Sequence, residues 1–385
     1  MLFIKNGLIY TMSGEVIENG SILIDGGKIV EVGKDIIAPL DAEVMDVEGR
    51  MVTPGFIDAH CHLGMWEEAI GFEGSDGNEV SDPVTPEMRA IDSINPMDIS
   101  FKEAYEGGVT TAITGPGSAN VIGGTFAAIK TYGHRIDDMI IKEPIAMKIA
   151  FGENPKRVYN AQKKSPMTRM ATAAILRNTL FKAKEYLEKK ENAKDPSKAP
   201  DFNMKMEAMI PVLKGEIPLK AHAHRADDIF TALRIAKEFD LDITLDHCTE
   251  GHLIVEDLVK ENKGAIVGPT FGNRSKFELK NKTFDTPRVL NEAGVKIAIA
   301  TDAPVIPLQH LSLCAGLAHK AGLDEMEALK AITINAAEIV GLDDRIGSIE
   351  KGKDADIVIF DGNPIKDVDF KTYATIIDGK VVYKR

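Results

Sequence analysis

Residues 51–62 read MVTPGFIDAHCH, an apolar run that ends in two histidines. The apolar residues predict a buried strand, and side chains alternate between the two faces of a strand with a period of two. His60 and His62 therefore point to the same side at the end of this strand. Because zinc and similar ions are bound by imidazole nitrogens, two imidazoles on one face provide half of a metal site.

Three later strand-like stretches end in the same kinds of side chain. Their terminal residues are His222 and His224 in the stretch AHAH, then His247, then Asp302. A single His-x-His pair arises easily by chance. Four strand ends that carry imidazole or carboxylate, in this order along the chain, instead predict one metal site to which every strand contributes.

The composition limits the classes of function. A net charge of −13 argues against nucleic-acid binding, because affinity for phosphate backbones depends on clustered Lys and Arg. No stretch reaches the roughly 18 apolar residues that a membrane span needs, and the amino terminus lacks the apolar core of a signal peptide. We therefore expect a cytoplasmic protein with a small-molecule substrate and no nucleic-acid or membrane partner. A homo-oligomer is compatible with the sequence.

The domain organisation follows from length and turn signals. The 385 residues exceed the usual size of a single core, which favours one large domain and a smaller one. Residues 1–50 and 346–385 both hold short strand-like runs separated by Asp-Gly turns, a strong hairpin signal. We predict that these two ends combine into one small β-sandwich, and that residues 51–345 form the catalytic domain.

Residues 51–345 alternate apolar strands with amphipathic helical segments. Eight strands alternating with helices predict an α/β fold, the (β/α)8 TIM barrel. Active sites of such barrels lie at the carboxyl ends of the strands, where every histidine and aspartate named above falls. The predicted strands are Val52–Asp58, Val109–Thr114, Thr125–Lys130, Ile145–Phe151, Leu219–His222, Asp242–Asp246, Ala265–Gly268 and Lys296–Thr301.

The order of the site residues resembles that of the amidohydrolase superfamily. The segments PGFIDAHCH and GSIEKGKDADIV, which frame the middle of the chain, are similar as well. Within the superfamily, the sequence most resembles imidazolonepropionase-like and prolidase-like amidohydrolases. The residues that carry the resemblance are His60, His62, His222, His247 and Asp302.

The resemblance implies a role for each of these residues. His60 and His62 would bind the more buried metal ion, and Asp302 would bind it while acting as general base and acid. His222 and His247 would bind a second ion. We therefore expect one or two divalent ions, with Zn²⁺ as the expected metal, that make hydroxide available at neutral pH for cleavage of a C–N bond.

Two residues compete for the position between two metal ions. Relatives use either a carboxylated lysine or a glutamate from a strand end there. Lys148 lies inside the apolar run 145–151, where an unmodified and unpaired charge is costly. Glu153 follows the end of the same strand and needs no modification. We predict Glu153 as the metal ligand and keep carboxylated Lys148 as the alternative.

Cations near strand ends indicate the class of substrate. Arg225 directly follows the strand of His222 and His224, and Arg157 follows the fourth strand. Guanidinium groups bind carboxylates through paired hydrogen bonds, but they also pair with acidic neighbours. We predict Arg225, Arg157 and His224 as substrate-binding residues, and an amide that carries a carboxylate, a dipeptide or an N-acyl amino acid, as the substrate.

Two other functions stay open at this point. One is a mononuclear cyclic-amide hydrolase of the imidazolonepropionase type, or a deaminase. The other is a noncatalytic scaffold, because some amidohydrolase-like chains have lost their metals. Every expected ligand position is filled in this chain, which favours an enzyme.

Overall fold

The computed structural model describes residues 1–195, 197 and 199–385. Its strands form two large sheets, one built from both ends of the chain and one from its middle. In chain order the strands are β1 (Leu2–Tyr10), β2 (Val16–Asp25), β3 (Lys28–Gly33), β4 (Glu43–Asp46), β5 (Met51–Pro54), β6 (Phe56–Cys61), β7 (Val109–Thr114), β8 (Ile122–Lys130), β9 (Ile140–Ala150), β10 (Leu219–Ala223), β11 (Ile243–His247), β12 (Ala265–Val267), β13 (Ile297–Ile299), β14 (Ile357–Asp361), β15 (Lys371–Ile377) and β16 (Lys380–Lys384).

Most helices lie between the strands of the middle of the chain, and three more lie between β13 and β14. The longest one buries Leu176, Leu180 and Ala183, which recur at helical spacing on the side that faces the core. No helix in the described part of the chain is both long and apolar enough to cross a membrane. The helices are α1 (Ile99–Glu106), α2 (Glu153–Ala161), α3 (Arg169–Asn192), α4 (Met204–Leu213), α5 (Ala226–Phe239), α6 (Val255–Glu261), α7 (Thr286–Glu292), α8 (Leu311–Lys320), α9 (Glu325–Lys330) and α10 (Ile334–Ile339).

The terminal sheet joins the two ends of the chain. β5 pairs in parallel with β1 and antiparallel with β14, so that β1–β5 and β14–β16 share one hydrogen-bonded sheet. A separate apolar core that includes Ile22, Ile357 and Ile376 packs on this sheet. The ends of the chain thus combine as predicted, whereas their arrangement as a β-sandwich, and the exact domain boundaries, stay predictions.

The middle of the chain forms a nearly closed barrel. β6 to β13 follow one another in chain order in a single eight-stranded sheet, and each overlaps a predicted strand. The two edges of the sheet meet where the backbone N–H of Asp302 donates to the carbonyl oxygen of His60 at 3.2 Å. This arrangement is consistent with the predicted TIM barrel.

One strand departs from the predicted pattern. β8 runs antiparallel to both of its neighbours, β7 and β9. A parallel neighbour needs a crossover of a dozen or more residues, whereas only residues 115–121 connect β7 to β8. The predicted regular alternation of parallel strands and helices is therefore wrong at β8. The end of β8 at Lys130 lies at the opposite end of the barrel from His60 and His247.

The predicted strand 52–58 is divided between the two sheets. β5 belongs to the terminal sheet and β6 to the barrel, with Gly55 between them. A Cβ atom on Gly55 would lie only 2.0 Å from Oγ1 of Thr110, so the backbone passes β7 too closely for any side chain. Gly55 therefore allows one run of sequence to serve both sheets.

Candidate metal centre

The first cluster of ligand atoms consists of His60, His62 and Asp302, here called the Asp302 group. His60 lies next to the last residue of β6, with its Nε2 atom 3.4 Å from Oδ1 of Asp302, and Nε2 of His62 lies 3.2 Å from the same oxygen. The two imidazoles therefore point to the same side, as the period of the strand predicts. All three side chains are mostly buried.

Asp58 fixes the backbone on both sides of the Asp302 group through hydrogen bonds. Its Oδ1 accepts from the backbone N–H of His60 at 2.9 Å, and its Oδ2 accepts from the backbone N–H and the hydroxyl of Thr301 at 2.9 and 2.5 Å. Asp302 itself has a φ of 55°, in the left-handed region that few non-glycine residues adopt. One buried carboxylate thus ties the end of β6 to the residue before Asp302 and fixes their relative position.

The second cluster consists of His222, His224 and His247, here called the three-histidine group. The imidazoles of His222 and His224 lie on the same side of the end of β10, with ring centroids 4.7 Å apart. The ring of His247, at the end of β11, lies 4.5 Å from that of His222 and 4.6 Å from that of His224. His224, which the sequence suggested as a substrate contact, therefore lies among the candidate metal ligands.

Backbone carbonyls set the tautomers of two imidazoles. Nδ1 of His62 lies 2.7 Å from the carbonyl oxygen of Gly115, and Nδ1 of His247 lies 2.7 Å from that of Gly268. Because a carbonyl only accepts, both Nδ1 atoms carry the proton and both Nε2 atoms keep a free lone pair. Nε2 of His222 is buried without a hydrogen-bond partner among the described residues. These bare, inward-facing nitrogens fit a bound divalent ion.

The protonation states also suit metal binding. Burial lowers the pKa of His222, His224 and His247 well below the ordinary value of imidazole. Burial acts to raise the pKa of Asp302, but the nearby imidazoles hold it well below its ordinary value. Neutral imidazole and ionised carboxylate are the forms that bind metal ions.

Lys148 contacts the Asp302 group through His60. Its side chain is fully buried in β9, with Nζ 3.4 Å from Nε2 of His60 and 3.4 Å from Oδ2 of Asp246. Asp246 also accepts from Nζ of Lys220 at 2.9 Å and lies 3.1 Å from Nδ1 of His60. Burial lowers the pKa of Lys148 to about 8, because Asp246 and Asp302 offset the desolvation only in part and the charge of Lys220 adds to the lowering.

Glu153 lies apart from both clusters of ligand atoms. It is the first residue of α2, and its backbone N–H donates to Oε2 of Glu278 at 2.9 Å. Among the described residues, neither cluster of ligand atoms includes its carboxylate. Its predicted role as a metal ligand thus stays a prediction, and the side chain that contacts His60 is the alternative, Lys148.

A cavity of about 560 Å³ opens in front of both groups, within the usual size range of small-molecule sites. Its walls include His62, Asp302, His222 and His224, so both groups face the same space. Trp66 packs edge-on against His62 with ring centroids 5.1 Å apart. The remaining lining residues are mostly polar or small and include Asn78, Gly117, Ser118, Asn154, Pro269, Phe271, Asn273, Ser275, Lys276, Leu279 and Lys282.

The two predicted substrate-binding arginines do not line this cavity in the described part of the chain. Arg225 instead makes paired hydrogen bonds to Asp227, both of 2.9 Å, and Arg157 is exposed on α2. Lys276 and Lys282 line the cavity; Nζ of Lys276 lies 3.7 Å from Oε1 of Glu278, and Nζ of Lys282 donates to carbonyl oxygens of its own loop. Arg225 therefore forms an ion pair with an acidic neighbour, the alternative to substrate binding that the sequence left open.

Sequence reasoning missed Glu278. This side chain is 0% exposed, and its Oε1 lies 3.9 Å from Nε2 of His222 and 3.8 Å from Nε2 of His224. It lies in a short 3-10 turn, Phe277–Leu279, in the loop after β12. The available signal was a lysine and a glutamate two residues apart in that loop, which is too common a pattern to identify a site.

Comparison with known proteins identifies the class of protein. The model of the amidohydrolase family matches residues 197–382. A crystal structure of an amidohydrolase from Thermotoga maritima MSB8 is 43% identical, covers 100% of both chains and superposes with a TM-score of 0.97. The chain therefore belongs to the amidohydrolase family, metal-dependent hydrolases that act on carbon–nitrogen bonds.

Two curated relatives extend this comparison. The amidohydrolase tasK of Hapsidospora irregularis is 30% identical over 374 residues, which are 90% of this chain and 38% of tasK. The chain thus spans well under half the length of that relative. The imidazolonepropionase of Streptococcus sanguinis (strain SK36) is 25% identical over 410 residues, with 93% of this chain and 87% of the relative covered.

Proposed function

We propose that this protein hydrolyses the C–N bond of an amide that carries a carboxylate, such as a dipeptide or an N-acyl amino acid. The observation that carries the proposal is that the Asp302 group, the three-histidine group and Lys276 all border one cavity. The two groups supply a place for the reaction, and the ammonium of Lys276 supplies a partner for a substrate carboxylate.

The residues of the Asp302 group divide the work of hydrolysis. When bound, divalent ions supply Lewis acidity toward the scissile carbonyl and the attacking water. The Asp302 carboxylate accepts a proton from that water and afterwards donates it to the leaving nitrogen. A C–O bond forms and the C–N bond breaks, so that a carboxylic acid and an amine are released.

We infer that Lys148, in its carboxylated form, would serve as the bridging ligand of two ions and that Glu153 would not. Its Nζ atom is 3.4 Å from Nε2 of His60, a member of the Asp302 group. The carboxylate of Glu153 belongs to neither cluster of ligand atoms in the described residues. This reverses the order of preference that the sequence suggested.

A second candidate is hydrolysis of a cyclic amide, or deamination, at a single metal ion. It is favoured by the imidazolonepropionase relatives, which align with 93% of this chain or more in the streptococcal examples. The presence of two separate ligand groups argues for the binuclear alternative. A noncatalytic scaffold is disfavoured because each ligand position is filled.

The test is a panel of dipeptides and N-acyl amino acids, assayed by amine release, beside the same compounds with a carboxamide in place of the carboxylate. We expect kcat/KM to be at least about tenfold higher for the free acids. Asp302→Asn should reduce turnover by at least about 100-fold while the melting temperature stays close to wild type. Turnover retained by Asp302→Asn would contradict the proposed mechanism. Equal rates on acids and carboxamides would contradict the proposed substrate class.

Two lysines of one loop sharpen the test. Lys276 lines the cavity, whereas Lys280 is exposed and packs over the ring of Phe277 at 4.8 Å. Lys276→Met should raise KM for the free acids by about tenfold and remove the preference over carboxamides. Lys280→Met removes the same charge from the same loop and should keep that preference.

A further inference from the structure

We propose that Glu278 is the anionic ligand that completes the three-histidine group. The inference rests on the proposed function, in that a metal ion is taken to bind at this group. It adds a residue from the loop after β12 to a set that otherwise consists of strand-end side chains.

The position of the Oε1 atom of Glu278 carries the argument. The side chain is 0% exposed, and Oε1 has no hydrogen-bond partner among the described residues. The same atom lies 3.9 Å from Nε2 of His222 and 3.8 Å from Nε2 of His224. The Nε2 atom of His222 is also buried and without a partner. An unpartnered acceptor oxygen thus faces an unpartnered imidazole nitrogen, which is the arrangement expected of ligands around a cation.

The charge balance points the same way. An ionised carboxylate taken out of water without compensation is strongly unfavourable. The ammonium of Lys276 is the cation near Oε1, at 3.7 Å, beyond the reach of a hydrogen bond. A divalent ion held by the neighbouring imidazoles would supply the missing compensation at Oε1.

The other carboxylate oxygen is fixed in place by the backbone. Oε2 of Glu278 accepts from the N–H of Glu153 at 2.9 Å. Gly152, with a φ of 81°, makes room for this contact, because a Cβ there would lie 2.5 Å from Oε2. The end of β9 and the start of α2 therefore hold Glu278 by one oxygen and leave the other oxygen directed at His222 and His224.

The two ligand groups then become alike in composition. The Asp302 group has two imidazoles and one carboxylate, whereas the three-histidine group alone has no negative charge. With Glu278, each group contains a carboxylate that neutralises part of the charge of a divalent ion. The proposal therefore gives the loop after β12 a direct role in metal binding.

The experiment measures metal affinity and not turnover. Protein stripped with a chelator is titrated with Zn²⁺ in competition with a chromophoric chelator, for wild type, Glu278→Gln and His222→Ala. We expect wild type to bind two ions and Glu278→Gln to bind one of them at least about tenfold more weakly with the other unchanged. His222→Ala should weaken the same ion and so identifies it.

Glu250→Gln is the matched control. Glu250 is also buried at this end of the barrel, but its oxygens accept from the backbone N–H of Ala226 at 2.9 Å and from Nδ2 of Asn281 at 2.8 Å. Its loss of charge should leave both zinc affinities as in wild type. If Glu278→Gln fails to fold by circular dichroism, Glu278→Asp keeps the charge, withdraws the oxygen, and should weaken the same ion.

The outcomes separate this proposal from the proposed function. Wild-type affinity for both ions in a folded Glu278 variant would overturn the role of Glu278 and leave the hydrolase proposal intact. Binding of a single ion by wild type at saturation, with an affinity that His222→Ala leaves unchanged, would overturn the metal site of the three-histidine group itself. Two ions bound without hydrolysis of any compound of the panel would overturn the substrate class and leave Glu278 as a ligand.

Discussion

Two buried lysines lie at opposite ends of the barrel, in opposite electrostatic surroundings. Lys130, at the end away from the cavity, contacts three carboxylates, with Nζ 2.5 Å from Asp356, 3.0 Å from Asp354 and 3.1 Å from Asp378. Lys148, beneath the metal-ligand groups, shares the single carboxylate of Asp246 with a second lysine. One lysine is surrounded by excess negative charge and the other is not.

The pKa values follow the surroundings. Burial acts to lower the pKa of Lys130, but the three aspartates outweigh it and raise the pKa above the ordinary value. Burial lowers the pKa of Lys148 to about 8, and Asp246 does not compensate fully. Lys130 thus stays charged and joins β8 to residues beside the terminal sheet, whereas Lys148 loses its proton at a lower pH than an ordinary lysine. The comparison indicates a structural role at one end and a chemical role at the other.

Lys130→Met should have the largest effect, on stability. Removing the cation leaves Asp356 buried without its ion-pair partner, which costs about 3–5 kcal/mol in unfolding free energy, whereas Asp354 keeps its ion pairs with Lys28 and Arg345. Urea unfolding of wild type and variant measures this difference. At 25 °C the folded variant should keep wild-type kcat. A loss of activity without a loss of stability would break the comparison.

Between pH 8 and 10.5, the contributions of the two lysines to the unfolding free energy should change by amounts that differ by about 3 kcal/mol. The pKa of Lys148 falls from 10.5 to about 8 on folding, so between these pH values the unfolded chain binds one more proton and stability rises with pH. The pKa of Lys130 rises on folding, so its contribution is fully present below pH 10.5 and is lost only above it.

Urea titrations of the metal-free protein at pH 8 and 10.5 test this difference. The unfolding free energy of wild type relative to Lys148→Met should rise by about 3 kcal/mol across this window. The same quantity relative to Lys130→Met should stay level. Parallel slopes for the two variants would mean that the surroundings of the lysines are not as different as described.

Lys148→Met should lower kcat by about 100-fold, which is about 2.7 kcal/mol. The substitution removes the amine that contacts His60 and that we propose as a metal ligand once carboxylated, while Lys220 still pairs with Asp246. Steady-state kinetics with metal content measured on the same sample checks this. Unchanged kcat and unchanged metal content would place Lys148 in a purely structural role, like Lys130.

The sequence was sufficient for features that depend on local pattern. His60 and His62 share a side because a strand has a period of two, and Asp302 was recognisable at a strand end. Lys148 was noticeable because a lysine inside an apolar run needs a reason. The ends of the chain were recognisable by their Asp-Gly hairpin signals.

Other features depend on tertiary contacts that no local pattern carries. Glu278 reaches His222 across the barrel mouth, from a loop with no strand or helix period. Arg225 forms hydrogen bonds with Asp227, and the sequence alone does not decide between this ion pair and substrate binding. The direction of β8 was the avoidable error, because even the predicted connection, 115–124, is shorter than the dozen or more residues that a parallel crossover needs.

The most direct test of the two-group site is the number of divalent ions per chain, measured by elemental analysis on protein purified without chelator and saturated with Zn²⁺. The Asp302 group and the three-histidine group together predict two ions per chain. One ion per chain would contradict the binuclear site and favour the cyclic-amide or deaminase alternative. No bound ion would contradict the metal-dependent mechanism altogether.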